Sequence, residues 1–273
     1  MGILNVTPDS FSERGAYFDR RAAIARGLEI EREGADILDV GGESTRPGAM
    51  PVDENEEMDR VLPVIEILRR KGLGIPISID TYKANVAERA LQAGAEIVND
   101  VSGLRYDAAV ASVVANHGAG LVLMHLRGTP LTMQRLPAVQ HIIPTIRRGI
   151  AVSLRRALRA GVGKRQIVID PGIGFGKSYD QNFEILRSLS GLSSVGYPIL
   201  VGPSRKSFLR AAIAAIANHK ESFSDQLLMG NAAAVTTAIL NGAHIVRVHD
   251  VREMVAVVRV ADRLLGLRRH YAT

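Results

Sequence analysis

The sequence predicts a closed (β/α)8 barrel, a TIM barrel, formed as a single domain over residues 1–273. Three observations carry this reading. Short apolar runs recur eight times along the chain, the segments between them have helical periodicity, and polar residues collect at the C-terminal ends of the runs. A length of 273 residues, 47% of them hydrophobic, suffices for one such barrel.

Taken in order, the runs are ILNV (3–6), ADILDV (35–40), IPISID (75–80), AEIVND (95–100), GLVLMH (120–125), IVID (167–170), YPILVG (197–202) and AHIVRVHD (243–250). They are rich in β-branched residues and apolar nearly throughout, as parallel strands covered on both faces should be. AAIARGLEIEREG (22–34) and KANVAERALQAG (83–94) are amphipathic, and each stops at a glycine, a common helix terminator. An open doubly wound sheet is the alternative. It usually has fewer strands and makes no demand for polar residues at nearly every strand end. No linker, low-complexity tract or shift in composition marks a second domain.

Composition narrows the chemistry. With no cysteine, the chain has no disulfide framework, no thiolate nucleophile and no cysteine-ligated metal. A cytoplasmic location is expected. The N-terminus has no basic region leading into an apolar run, so no signal peptide is expected, and no apolar stretch reaches the length of a membrane span. Net charge is +6. The arginines scatter over helices, as in LRRALRAGVGKR, rather than forming a basic stripe with interleaved aromatics. The expected partner is therefore an anionic small molecule, not nucleic acid or a membrane surface.

The strand ends present Asn5, Asp39, Asp80, Asn99, Met124 and Asp170, then Lys206 just past the seventh strand, then Arg247 and His249. In a barrel all of these face one mouth, where active sites sit. A lone aspartate at a strand end is more often a cap or turn residue. Asp80 before Thr81 fits a cap, and Asp100 fits a turn. Convergence from many strands is the stronger signal. Carboxylates accept and carboxamides both donate and accept, a set that suits a flat heterocycle with amino and ring N–H groups. A metal-only site is the weaker reading, because these carboxylates come from separate strands. Arg46, Lys206, Arg247 and His249 suit a phosphate or pyrophosphate. Arg247, between Val246 and Val248 in a strand, is expected to point into the mouth. DPGIGFGKS (170–178) is neither a P-loop, since Pro171 replaces a required glycine, nor a dinucleotide fingerprint, since Lys177 does. It reads as a rigid turn that brings backbone close to a planar ligand.

GILNVTPDSFS, DVGGESTRPG, SIDT, NDVSG, LMH, DPGIGFGK, SRKSF and RVHD occur in that order at the strand ends. Together they resemble the dihydropteroate synthase family over essentially the whole chain, and the pairing of ESTRPG with SRKSF is specific. The resemblance implies condensation of a dihydropterin hydroxymethyl pyrophosphate with p-aminobenzoate, with release of pyrophosphate. It implies catalytic roles for Asp80, Lys206, Arg46 and Asp39. It places the pterin on Asp80, Asn99, Met124, Asp170, Phe175 and Lys206. Asn5, Arg46, Arg247 and His249 would hold pyrophosphate, with Asn5 also helping to hold Mg2+. Phe11, Thr45, Arg46, Pro47, Ser204 and Lys206 would meet p-aminobenzoate.

The chain departs from the family pattern at Glu13 and Arg14, where aspartate and glycine are frequent, and at Tyr82, where serine is common. A methyltetrahydrofolate-dependent methyltransferase on the related barrel is one rival; it has no need of ESTRPG or RVHD. A catalytically silent pterin-binding homologue is the other. LLMGNAAAVTTAILNG (227–242) and VREMVAVVRVADRLLGL (251–267) carry surplus apolar surface, so a homodimer through the last two helices is expected.

Overall fold

The computed structural model describes residues 1–7, 20–46, 48–214 and 223–267. Eight parallel strands alternate with helices. The strands are β1 (Gly2–Asn5), β2 (Leu38–Gly41), β3 (Ile77–Asp80), β4 (Ile97–Asp100), β5 (Gly120–Met124), β6 (Ile167–Asp170), β7 (Leu200–Val201) and β8 (Ile245–Val246). The α-helices between and after them are α1 (Arg20–Arg32), α2 (Glu54–Arg70), α3 (Ala84–Gln92), α4 (Ala109–His117), α5 (Ile142–Arg159), α6 (Tyr179–Arg187), α7 (Ser207–Ala214), α8 (Phe223–Leu240) and α9 (Val251–Leu264).

β1 to β6 pair in sequence order and in parallel, and β7 pairs with β8. Two bridges close the ring. Ile169 meets Ile199, with the Ile169 amide donating to Pro198 O at 2.9 Å. Gly2 meets Val248, with the Ile3 amide donating to Val248 O at 3.0 Å. The open doubly wound alternative is thereby excluded, because an open sheet has two unpaired edges and this one has none. All eight sequence runs contain a strand, although β7 and β8 shrink to two residues each.

Strand alternation builds the interior in layers. Met1, Val122 and Leu200 pack with Ile37, Ile97, Val168 and Ile245 in one apolar plug. Two residues further along β2, β4, β6 and β8 stand Asp39, Asn99, Asp170 and Arg247. Period-two geometry therefore sends these four into the same space, one layer above the plug. Asp39 sits inside β2, paired with Ser78, rather than at its last residue. A larger apolar core, including Leu38, Val40, Ile77, Ile79, Leu121 and Leu123, fills the space between barrel and helices. No described helix is long and apolar enough to cross a membrane.

Candidate active site

The mouth at the C-terminal ends of the strands holds a cleft of about 530 Å³. Asn5, Thr45, Arg46, Asp80, Phe175, Ser204, Lys206, Arg247 and His249 line it. Asp39, Asn99, Met124 and Asp170 lie beneath, each buried, as the layer that supports the floor. Phe11 and Pro47, and the departures Glu13 and Arg14, fall outside the described residues.

The floor is an ionic lattice. Arg247 Nε donates to Asp39 Oδ2 and its Nη2 to Asp80 Oδ2, both at 2.6 Å. Asn99 Nδ2 donates to the same Asp39 oxygen at 3.2 Å. This ties β8, β2, β3 and β4 together across the interior. Asp80 therefore pairs with an arginine instead of capping the next helix. Asp100 does start a turn, accepting from the amides of Ser102 and Leu104 at 2.7 and 2.6 Å. Oδ1 of Asp39 and of Asp80 are buried without a protein partner, a costly condition unless a ligand or water serves them. Asp80 itself lines the cleft.

Burial shifts the ionisable groups toward neutrality. It pushes the Asp80 carboxyl up to about 7, against the pull of Arg247, while Asp39 and Asp80 hold the guanidinium firmly charged. The two tendencies oppose one another; the 2.6 Å contact has the geometry of an ion pair, so we take Asp80 as ionised. Burial likewise raises Asp170 to about 6 and lowers Lys206 to about 8. Burial, with Arg205 and Arg247 nearby, lowers His249 to about 3. His249 thus stands neutral at the rim, its Nδ1 3.0 Å from Ser204 Oγ, and contributes hydrogen-bonding capacity where the sequence suggested charge.

Lys206 Nζ sits 4.0 Å from the centroid of the Phe175 ring, a cation–π contact. Phe175 and Met124 share a small apolar cluster with Val101, Leu126 and Met133. One wall of the site is therefore apolar and the floor ionic, which suits a flat heterocycle with polar edges. The glycines of the 170–178 turn also serve contacts within the protein. At Gly172, with φ +69°, a Cβ would lie 2.1 Å from His125 O, and at Gly176, with φ +68°, 2.4 Å from Arg127 O. These glycines let two loops of the protein touch. Lys177 locks the turn, donating to His125 O, Gly172 O and Phe175 O at 3.1, 2.7 and 2.9 Å.

The "Pterin binding enzyme" family pattern matches residues 1–249. The chain belongs to that family. As a pterin-binding enzyme it is 46% identical over 264 residues to a dihydropteroate synthase of Synechocystis sp., covering 97% of this chain and 89% of that one. It is similar to the solved dihydropteroate synthase of Clostridium difficile, determined in the presence of pteroic acid, with a TM-score of 0.87, 44% identity and coverage of 96% and 95%. A Xanthomonas albilineans dihydropteroate synthase with 4-aminobenzoic acid gives a TM-score of 0.87, 39% identity and coverage of 98% and 93%.

Sequence reading missed one feature of this pterin-binding enzyme: a buried cluster of Lys83, Glu43 and Glu57 beside the cleft. Tyr82, one of the departures, belongs to it, its hydroxyl donating to Glu43 at 2.8 Å. A signal was available. Lys83 stands at the N-cap of α3 with no side-chain cap bond, and a cation at the positive end of a helix is unfavourable without a partner.

Proposed function

We propose that the chain is a dihydropteroate synthase working as one domain over residues 1–273. It joins the amine nitrogen of p-aminobenzoate to the exocyclic methylene carbon of 6-hydroxymethyl-7,8-dihydropterin pyrophosphate. The carbon–oxygen bond to pyrophosphate breaks, the carbon–nitrogen bond forms, and the amine loses a proton. The observation that carries this reading is the make-up of the cleft: an ionic floor of carboxylates and Arg247, an apolar wall at Phe175, and the further cations Arg46 and Lys206 in its lining.

An arylamine is a weak nucleophile, so an SN1-like path with early departure of pyrophosphate fits. The pterin lies on Asp80, Asn99 and Asp170, with Lys206 at its oxo side and Met124 and Phe175 against its ring. Asp80, which lines the cleft and keeps one carboxylate oxygen without a protein partner, would stabilise the developing cation. Asp39 holds Arg247 in place from below. Arg46, Arg247 and His249 receive the pyrophosphate. Phe11, Thr45, Arg46, Pro47, Ser204 and Lys206 receive p-aminobenzoate. No general base is required, because the amine becomes acidic once bonded to the cation.

Among the described residues no group of three histidine, cysteine, aspartate or glutamate side chains could hold a metal. Mg2+ commonly takes only one or two protein oxygens together with substrate phosphates and waters. The amide oxygen of Asn5 in the cleft fits that mode, so Asn5 would hold a Mg2+ that arrives with the pyrophosphate. When bound, the ion supplies positive charge to the leaving group.

We also place the protein in the cytoplasm, as a homodimer through α8 and α9. Met229 on α8 is 69% exposed and Val260 and Leu264 on α9 are 63% and 66% exposed, and large apolar side chains left in water support a partner surface there. The activity is tested by measuring pyrophosphate release with both substrates supplied. Release that depends on p-aminobenzoate, with dihydropteroate formed, supports the assignment. A protein that binds pterin and never turns over supports the silent homologue.

A further inference from the structure

The segment between β2 and α2 carries Thr45 and Arg46 into the cleft. Its two stems are joined by one side chain. Lys83 Nζ donates to Glu43 Oε2 at 2.5 Å, where the segment leaves the barrel, and to Val52 O at 2.6 Å, where it returns to α2. Its third hydrogen bond goes to Glu57 Oε2 of α2 at 2.5 Å. An ammonium has three donors, and all three are spent here. Glu43 completes the ring, since Oε2 also accepts from the Val52 amide at 3.2 Å and Oε1 from Tyr82 at 2.8 Å. The neighbouring stem is fixed as well: Arg60 Nη1 donates to Gly42 O at 2.7 Å, and a Cβ at Gly42 would strike Val61 at 2.8 Å. Beyond the stems, the bond to another loop among the described residues runs from the Gly48 amide to Pro130 O at 3.1 Å.

We propose that Lys83, through Glu43 and Val52, is a positioning residue that fixes both stems of the 43–52 segment and so sets where Arg46 and Thr45 enter the cleft. Lys83 is not among the residues that line the cleft, whereas its partner Glu43 is. Its three partners are all protein groups at the base of the segment. A clamp at the base confines the reach of the tip, and displacement of a binding group by even one ångström from a remote change can lower turnover by roughly a hundredfold. The pterin floor is built on other elements, from Asp80, Asn99 and Asp170. The clamp therefore acts on the second substrate and on the pyrophosphate end of the first, and spares the pterin ring. The inference rests on the reading of the cleft as the site of both substrates, which wild-type turnover tests separately.

Lys83→Met alone would leave two buried carboxylates facing each other, which can unfold a protein. Lys83→Met with Glu57→Gln avoids this: two carboxylates and one ammonium give −1, and the one remaining carboxylate also gives −1. Glu57→Gln alone keeps the bonds of Lys83 to Glu43 and Val52 and serves as the control. In the double variant kcat/KM for p-aminobenzoate should fall by up to roughly a hundredfold, while pterin affinity by calorimetry stays that of the wild type. The control should turn over normally. Native p-aminobenzoate kinetics in the double variant, or equal losses of pterin and p-aminobenzoate binding, would overturn the proposal. Hydrogen exchange on the unaltered enzyme tests it without a substitution. The Val52 amide should exchange far more slowly than those of Gly48 and Ala49, and equal exchange rates at stem and tip would contradict the clamp.

Discussion

Arg247 Nε donates to Asp39 Oδ2 at 2.6 Å, joining the eighth strand to the second across the interior of the barrel. Asp39 is fully buried, with 0% of its surface exposed, and the same guanidinium also donates to Asp80. Arg247 thus has two duties. It neutralises the floor and presents a cation to the cleft.

Removing that guanidinium strands a buried charge. Arg247→Ala should lower stability by roughly 3–5 kcal/mol, the usual consequence of breaking a buried pair from one side. Asp39→Asn in the Arg247→Ala background should recover most of the loss. Denaturant unfolding of the two single variants and the double variant measures this coupling; additive effects would mean that the pair is not linked.

Asp170 should show a conflict between stability and function. Burial raises its carboxyl from 3.8 to about 6. A folded-state value above the unfolded one means that its contribution to stability is full below pH 3.8 and is lost as pH rises through about 6. Asp170→Asn should therefore melt higher than the wild type at pH 7.5, by on the order of 3 kcal/mol, with the difference vanishing below pH ~4. The same variant should bind pterin worse by roughly 1.5–3 kcal/mol per lost charge-assisted bond. Oδ1 is occupied by the Gly172 amide at 2.7 Å, so Oδ2 is the oxygen available to the ring. Unchanged pterin affinity would displace the ring from this position.

Lys206 sets an alkaline limit. Its ammonium is lowered by burial to about 8, and turnover should fall as pH rises through that value. Lys206→Ala should remove turnover and weaken both substrates if the side chain, which lies over Phe175, serves both as proposed. A flat pH profile to pH 9.5 or beyond would separate Lys206 from catalysis.

The dimer is checked by light scattering. A mass twice that of the 29.4 kDa chain is expected at micromolar concentration. Val260→Asp with Leu264→Asp should yield a folded monomer; a monomeric wild type contradicts the interface.

Barrel and mouth were legible in the sequence because period-two alternation is strict: once Ile37, Ile97, Val168 and Ile245 point inward, so must Asp39, Asn99, Asp170 and Arg247. Partnership within the mouth was not legible. Nothing in RVHD reveals that Arg247 reaches β2 and β3, because that distance depends on barrel closure. Charge state was equally hidden, as His249 shows: burial, which sequence does not give, leaves it neutral. The 170–178 segment was legible as a rigid turn, but what its glycines approach, His125 O and Arg127 O, belongs to a neighbouring strand's loop.

Arg46 should matter little to pterin binding and much to p-aminobenzoate binding. It is exposed and lines the cleft from the 43–52 segment, and an arginine fork matches two phosphate oxygens. Pyrophosphate that pairs with Arg46 favours the inward segment only by its differential affinity for that state. Binding is then ordered, pterin pyrophosphate first and arylamine second. Calorimetry should find p-aminobenzoate bound weakly by the bare enzyme and tightly with pyrophosphate, Mg2+ and a pterin present. Arg46→Ala should lose most of that enhancement, and equal affinity in both conditions contradicts the ordered binding.

The most direct test of the account is a product balance on the purified enzyme given dihydropterin pyrophosphate, Mg2+ and p-aminobenzoate. We expect dihydropteroate and pyrophosphate to accumulate in equal amounts, and both to disappear in Asp170→Ala and Lys206→Ala. Pyrophosphate without dihydropteroate, or neither product from an enzyme that binds both substrates, would contradict it.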